Sequence, residues 1–204
     1  MTCRVPGTAG YGETAAALAR QYESLAFADV HRDLVPLLPA PPARAIDIGA
    51  GTGRDAAALA ALGHAVTAVE PTPELRDAAR LLHAGAAIRW IDDALPDLAG
   101  VRALGERFDI VLLSAVWMHL DADERGRAMV AVAALLAAGG VMSLTLRHGP
   151  LPAGRRMFEV TARETRALAE AQGLRTLHDS EAAALLNGPE VWWSRLVFAA
   201  PVRT

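Results

Sequence analysis

The chain has 204 residues, a length typical of a single domain, and 52% of them are hydrophobic, which suffices for one packed core. Its 20 basic and 23 acidic residues give a net charge of −3 and are interspersed, so we expect no nucleic-acid partner. All the basic residues are arginine, which excludes the lysine-dependent Schiff-base enzymes and P-loop NTPases.

The single cysteine, Cys3, excludes a disulfide framework and a thiolate zinc site, and the spacing of the histidines indicates no metal site. No apolar run reaches membrane-spanning length, and residues 1–7 lack the apolar segment of a secretory signal. We therefore expect a cytoplasmic protein without a membrane partner.

The N-terminal part, residues 1–40, is predicted to be a helical cap. Apolar residues recur at helical spacing between Glu13 and Leu38, which predicts two helices before the proline-rich stretch 39–42. We expect this segment to cover a ligand that is bound to the rest of the chain, residues 41–204.

Beyond residue 40, short apolar strands alternate with helices. Strands are predicted at 44–48, 65–69, 88–91, 110–114 and 141–146. Helices are predicted to begin near Gly53, Pro73, Ala122 and Thr161. Such alternation predicts a parallel sheet covered on both faces, which residues 174–178 and 192–198 close as a final pair of strands.

The turn after the first strand indicates a nucleoside cofactor. Its glycines, Gly49, Gly51 and Gly53, follow the spacing G-x-G-x-G, and Asp47 stands just before them. A carboxylate here would repel the pyrophosphate of a dinucleotide but would accept hydrogen bonds from an ammonium group. Glu70, at the end of the second strand, is placed to accept both hydroxyls of a ribose. An adenosine with an amino-acid tail fits both carboxylates.

Five segments in this order resemble the motifs of the class I S-adenosylmethionine-dependent methyltransferases. They are residues 46–53, 66–71, 92–96, 108–114 and 135–140. The resemblance runs from about residue 43 to the C-terminus. It implies a doubly wound, mostly parallel, seven-stranded Rossmann-like sheet with an antiparallel last strand, and S-adenosylmethionine as the cofactor.

The resemblance assigns the cofactor contacts to residues in or near these motifs. Either Asp92 or Asp93 should meet the adenine amino group, and Leu75 is a candidate for the adenine face. Tyr22 or Arg54 could reach the cofactor carboxylate, although Tyr22 fits a core position equally well. The predicted cofactor-binding residues are Tyr22, Asp47, Gly49, Ala50, Gly51, Gly53, Arg54, Glu70, Pro71, Leu75, Asp92, Asp93, Ala94 and Ser114.

The acceptor is expected to lie beside the loops after the fourth and fifth strands. His119 is the first candidate for a general base and His148 the second, with a ring held by a backbone contact as the alternative for His119. Trp117 could stabilise a sulfonium through its ring face. The basic pair Arg147 and His148 favours an acceptor with a carboxylate or phosphate. The predicted substrate residues are Trp117, His119, Arg147 and His148.

The sequence therefore predicts methyl transfer from S-adenosylmethionine to a small-molecule acceptor, with an anionic group on that acceptor as a further expectation. Two alternatives are a nicotinamide-dependent oxidoreductase with an irregular glycine fingerprint, against which Asp47 argues, and a non-catalytic cofactor-binding partner protein. The motifs leave open the oligomeric state and whether oxygen, nitrogen, sulfur or carbon is methylated.

Overall fold

The protein folds around one seven-stranded sheet. A computed structural model describes residues 18–152, 154–186 and 188–202. The strands are β1 (Arg44–Ile48), β2 (Ala65–Val69), β3 (Ile88–Ile91), β4 (Phe108–Leu113), β5 (Leu136–His148), β6 (Arg175–Ala183) and β7 (Trp192–Ala199). Their order across the sheet is β3-β2-β1-β4-β5-β7-β6.

Only β7 runs against its neighbours: it is antiparallel to both β5 and β6, whereas β1 to β5 pair in parallel. This arrangement confirms the predicted fold class, including the antiparallel last strand. The bounds of β1, β2 and β3 coincide with the predicted ones. β5 begins earlier than predicted because Leu136 pairs with Phe108 across an irregularity in the register of β4.

Helices cover both faces of the sheet. They are α1 (residues 18–23 of the described chain), α2 (Phe27–Val30), α3 (Arg54–Ala61), α4 (Pro73–Leu82), α5 (Ala99–Ala103), α6 (Ala122–Ala133) and α7 (Ala162–Ala171). α3, α4, α6 and α7 begin at or next to the predicted residues, whereas α5 was not predicted. None of the described helices is long and apolar enough to cross a membrane.

Local sequence signals explain two of these helix starts. At α6, the Asp121 side chain accepts a hydrogen bond from the backbone N–H of Glu124. The Glu124 carboxylate accepts one from the backbone N–H of Asp121, so the two residues form a capping box. At α7, Thr161 accepts from the backbone N–H of Glu164. The Glu164 carboxylate, however, pairs with Arg125 at 2.7 Å. This ion pair joins α7 to α6.

The segment before β1 is less helical than predicted. It contains α1, the single turn of α2 and a 3-10 turn at Val35–Leu37, and the predicted helical residues 13–17 lie outside the described chain. Leu34 of this segment is 2% exposed and belongs to the same core cluster as Ala56 and Leu59 of α3. The segment is thus packed onto the α3 face of the sheet.

The carboxyl ends of the parallel strands meet along one edge of the sheet. Because β7 is antiparallel, its amino end lies at that edge too, where Trp192 pairs with His148 of β5 and with Ala183 of β6. Open α/β sheets bind ligands at this edge. A cavity of about 270 Å³ lies there.

Candidate active site

The cavity has two halves, which different strands form. The β1–β3 half consists of lining residues 47–52, 54, 55, 70–72, 75 and 93–95. The β4–β7 half consists of lining residues 114–116, 119, 120, 145, 183, 185, 186, 193 and 195. Residues Gln21, Tyr22, Leu25 and Val30 of the N-terminal segment also line the cavity.

Asp47 brings an unsatisfied carboxylate oxygen to the β1–β3 half. The residue is 1% exposed, and its Oδ2 atom has no hydrogen-bond partner among the described residues. Burial raises the pKa of Asp47 well above its ordinary value, and the charges of Asp55 and Glu70 raise it further. A buried carboxylate needs a donor, and a ligand ammonium group would supply one.

Glu70 is also buried, at 4% exposed, but backbone amides satisfy it. Its Oε2 accepts from the N–H of Gly51 and its Oε1 from the N–H of Thr72, each at 2.8 Å. Burial raises the pKa of Glu70, although these amides oppose the shift. Each carboxylate oxygen can accept a further hydrogen bond, so the group can still bind a pair of hydroxyls.

The glycines of the turn have different roles. Gly49 has a φ of +73°, and a Cβ there would lie 2.5 Å from Cγ2 of Val116, so the turn lies close against the loop after β4. A Cβ on Gly51 would meet nothing within 4 Å, which leaves room for a ligand. Gly53 precedes α3, and its Cβ would meet Trp90 at 2.9 Å.

The structure thus corrects the predicted contact of Gly53 with the cofactor. Gly53 does not line the cavity, whose described lining passes from Thr52 to Arg54. Its φ of +83° and its close approach to Trp90 indicate that glycine is needed here to start α3.

Of the two adjacent aspartates, Asp93 lines the cavity and Asp92 does not. Asp92 is largely exposed, and Arg76 donates to it at 3.0 Å while also donating to the backbone carbonyl of Glu70. Asp93 accepts from the N–H of Val101 at 2.9 Å, which ties the loop after β3 to α5. Of the two alternatives that the sequence left open, the structure thus places Asp93 at the cavity and Asp92 at the surface.

A chain of polar contacts holds the N-terminal segment against the glycine turn. Arg54 donates to the carbonyl of Tyr22 at 3.3 Å and to Oδ1 of Asp55 at 2.6 Å. The ring of His31, which is 2% exposed, contacts Oδ2 of Asp55 at 2.8 Å. Burial alone would raise the pKa of Asp55, but His31 and Arg54 together hold it far below its ordinary value. Sequence spacing alone assigned neither His31 nor Asp55 to the site.

Several predicted residues lie together in the β1–β3 half or beside it. The described cavity lining includes Tyr22, Asp47, Gly49, Ala50, Gly51, Arg54, Glu70, Pro71, Leu75, Asp93 and Ala94. Ser114 lines the β4–β7 half, next to Ala115, whose N–H donates to Thr145 at 2.8 Å. The cavity thus joins residues from both halves of the sheet.

His119 lines the β4–β7 half from the 3-10 turn after β4. Its Nδ1 lies 2.8 Å from the carbonyl oxygen of Arg156. Burial lowers the pKa of His119, and the charges of Arg155 and Arg156 lower it further. Because a carbonyl only accepts, the neutral ring carries its proton on Nδ1 and its lone pair on Nε2. The ring is thus held by a backbone contact, which is the alternative that the sequence left open for His119.

Trp117 does not line the described part of the cavity. Its side chain is 0% exposed and belongs to the core cluster that includes Met129 and Val132 of α6. Its position in the 3-10 turn directs it into the core, which corrects the prediction that it contacts the substrate or a sulfonium. Trp193 of β7 supplies an aromatic wall to the cavity instead.

Arg147 and His148 also lie outside the described cavity lining. Arg147 donates to the carbonyl of Pro150 at 2.8 Å. Nε2 of His148 lies 2.8 Å from Oγ of Ser194, and the ring stacks on Trp192 with centroids 3.8 Å apart. These partners correct the predicted substrate contacts of both residues and the role of His148 as a second base.

The arginine that does line this half is Arg195 of β7, which the sequence argument missed. It pairs in register with Thr145 of β5, which also lines the cavity. The alternation of Trp193 and Arg195 along the last strand was the available signal, because residues two apart share a face.

The central part of the chain matches a known family. Residues 45–140 match a family model described as a methyltransferase domain. Over 115 residues the chain is 33% identical to proteins named uncharacterized methyltransferases in Mycobacterium tuberculosis and Mycobacterium bovis. That match covers 53% of this chain but only 41% of each relative, so the chain spans well under half the length of these relatives.

Solved structures share the fold over nearly the whole chain. A TehB-like SAM-dependent methyltransferase from Corynebacterium glutamicum aligns with a TM-score of 0.62 at 21% identity, over 90% of this chain and 97% of that one. A Burkholderia thailandensis 1,6-didemethyltoxoflavin-N1-methyltransferase, crystallised with its substrate and S-adenosylhomocysteine, aligns with a TM-score of 0.63 at 21% identity, over 98% and 92%.

The chain has the doubly wound sheet of these Rossmann-like methyltransferases, with a carboxylate-lined cavity at its carboxyl edge. Its residues 45–140 are similar to a methyltransferase domain. The Burkholderia thailandensis structure contains bound S-adenosylhomocysteine, and the unsatisfied Oδ2 of Asp47 could accept from the ammonium group of such a ligand.

Proposed function

We propose that this protein transfers the methyl group of S-adenosylmethionine to a small-molecule acceptor bound in the β4–β7 half of the cavity. The buried Oδ2 of Asp47, which has no hydrogen-bond partner among the described residues, carries the proposal, because a cationic amino-acid tail would satisfy it. When bound, the cofactor supplies an activated methyl group on a positively charged sulfur.

The residues of the β1–β3 half would hold the cofactor. Asp47 would accept from its ammonium group, Glu70 from the ribose hydroxyls and Asp93 from the adenine amino group, while Leu75 would pack on the adenine. Arg54 lines the cavity beside Tyr22 and would pair with the cofactor carboxylate. We also propose that the segment before β1 acts as a cap, which the contacts of Tyr22 and His31 with this half support.

In the β4–β7 half, the protein mainly has to position the acceptor, since holding two reactants together lowers the barrier to methyl transfer. His119, with the lone pair of its neutral ring on Nε2, would accept the proton that an acceptor hydroxyl or amine loses. The acceptor half shares one cavity of about 270 Å³ with the cofactor half, which supports a small molecule as the acceptor. We expect this acceptor to carry an anionic group, because Arg195 lines the same half.

Isothermal titration calorimetry with S-adenosylhomocysteine and with NAD tests the cofactor assignment. We expect S-adenosylhomocysteine to bind and NAD not to bind, because Asp47 would repel the NAD pyrophosphate. The reverse result would favour the nicotinamide-dependent oxidoreductase. A mass-spectrometric screen of small acids, phenols and amines for products that gain one methyl group would separate an enzyme from a non-catalytic cofactor-binding protein.

A further inference from the structure

Arg195 is a buried arginine that faces the acceptor half of the cavity. It is 9% exposed, and it pairs in register with Thr145 of β5 and with Ser180 of β6. Residues directly opposite on neighbouring strands project from the same face of a sheet. Arg195 and Thr145 therefore reach the cavity from adjacent strands.

The protein makes only long hydrogen bonds to this guanidinium. Arg195 donates to Oδ2 of Asp33 at 3.3 Å and to the carbonyl of Asp29 at 3.5 Å, and both distances are long for a hydrogen bond. The same Asp33 oxygen accepts from Ser180 at 3.1 Å and lies 3.5 Å from Nε2 of His178. Since Arg195 shares this carboxylate oxygen with Ser180, and a guanidinium has more N–H groups than two bonds use, Arg195 can bind a further acceptor.

The surroundings would strengthen such a contact. Leu25, Val30, Leu186 and Trp193 line the cavity with Arg195, so the site is largely apolar. Charge-assisted hydrogen bonds are stronger where water is excluded, and the planar guanidinium matches a carboxylate with two parallel bonds. Among the described residues of the β4–β7 half, Arg195 is the one arginine.

We propose that Arg195 binds a carboxylate of the acceptor while the ring of Trp193, which lines the same half, packs on the acceptor, so that the site selects aromatic acids as substrates. This inference rests on the proposed function. Two strand spacings, about 10 Å, separate β7 from β4. The bound carboxylate is therefore distinct from the group that is methylated beside Ser114 and His119. The methylated atom is a ring hydroxyl oxygen or amino nitrogen, and the product keeps its free carboxylate.

The test is calorimetry on the full chain saturated with S-adenosylhomocysteine. The probes are hydroxybenzoates and aminobenzoates, each paired with the carboxamide that lacks the charge. We expect at least one carboxylate to bind about tenfold or more tightly than its carboxamide, a ratio that corresponds to about 1.4 kcal/mol. R195Q should abolish this preference, and R195K should retain part of it because it keeps the charge but not the paired geometry.

Arg147→Gln is the matched control, because Arg147 lies on the neighbouring strand and donates to Pro150 outside the described cavity lining. It should keep the preference for carboxylates. Equal binding of carboxylate and carboxamide to the unmodified protein, no binding of any probe, or an unchanged preference in R195Q would each overturn the proposal. Binding of S-adenosylhomocysteine to R195Q shows that the variant is folded. If the unmodified protein did not bind S-adenosylhomocysteine, that result would instead contradict the proposed function.

Discussion

Asp47 and Glu70 are both buried carboxylates, but the protein satisfies only one of them fully. Both oxygens of Glu70 accept from backbone amides, whereas Oδ2 of Asp47 has no partner among the described residues. A buried charge without a hydrogen-bond partner lowers stability, and proteins retain such a group where a bound ligand supplies the missing partner. Removing the charge of Asp47 should therefore raise the stability of the free protein and weaken its binding of the cofactor.

Replacing Asp47 with asparagine tests this point. D47N keeps the shape but removes the charge, so we expect the affinity for S-adenosylhomocysteine to fall at least about tenfold by calorimetry. In the ligand-free protein, we expect the same change to raise the free energy of unfolding in urea denaturation, because burial disfavours the Asp47 charge. Asp109→Asn is the control, because Asp109 bonds to the backbone of Arg44 at the opposite edge of the sheet. Unchanged affinity in D47N would remove Asp47 from the cofactor site.

The pH dependence of binding follows from the same residue. Burial raises the pKa of Asp47, so its neutral form stabilises the free fold, and that contribution is lost as pH rises through the raised pKa. Binding an ammonium group requires the ionised form instead. We expect the affinity for S-adenosylhomocysteine to decrease as pH falls through this pKa, with proton release on binding. Calorimetry in two buffers that differ in ionisation enthalpy measures that release, and its absence would contradict the assignment.

His119→Ala tests the proposed base. We expect turnover of a hydroxyl or amine acceptor to fall about a hundredfold while the affinity for S-adenosylhomocysteine is unchanged. Because burial lowers the pKa of His119, the unmodified enzyme should stay active at neutral pH and lose activity only on acidification through that lowered pKa. His148→Ala is the control, since the His148 ring stacks on Trp192. An unaffected rate in His119→Ala would exclude the role.

At the scale of single elements, the glycine turn lies close to the loop after β4. A side chain at position 49 would meet Val116 and would also require a φ of +73°. We expect Gly49→Ala to lower the free energy of unfolding by about 2 kcal/mol or more. Gly126→Ala in α6 is the control, because a Cβ there meets nothing within 4 Å and alanine favours a helix. Equal stability of the two variants in thermal unfolding would contradict this account.

The elements that the sequence predicts well are those with a strong local signal. β1, β2 and β3 are short apolar runs between turns, and their bounds were correct. α5 was missed because it is short and depends on a distant contact, in which Asp93 accepts from the N–H of Val101. The start of β5 depends on its pairing with Phe108, which periodicity alone does not reveal.

The site shows the same division between local and non-local information. Asp47, Gly49, Gly51 and Glu70 lie in the first two motifs and line the cavity, so the motifs were enough to predict their place there. Trp117 and Arg195 could not be placed in this way, because the turn geometry after β4 buries the former and the pairing of β7 exposes the latter to the cavity. Proximity to a motif was a poor guide to which side chain enters the cavity.

At the scale of the whole molecule, the His31 and Asp55 pair joins the segment before β1 to the core. Both side chains are almost fully buried. His31→Gln should therefore lower the free energy of unfolding by about 2 kcal/mol in urea, because it leaves the Asp55 charge less compensated. It should also weaken S-adenosylhomocysteine binding, since Arg54 contacts both Asp55 and Tyr22.

His64→Gln is the matched control, because Nδ1 of this buried histidine has no hydrogen-bond partner among the described residues. We expect it to change stability less than His31→Gln and to leave the affinity unchanged. The contribution of Asp55 to stability is complete above the pKa of an aspartate in the unfolded chain, and acidification should remove it as pH falls towards the low pKa in the fold. Equal effects of the two variants would contradict the linking role of His31.

The reversed direction of β7 has a consequence for how this protein can diversify. The five motifs of the proposed cofactor site all fall within residues 45–140. Trp193 and Arg195 instead lie in the hairpin of β6 and β7, far downstream in the chain. If the hairpin binds the acceptor as proposed, mutations in it can change which molecules are modified while the β1–β3 half of the cavity stays intact. Relatives aligned only over the central region would share the reagent and still differ in what they alkylate.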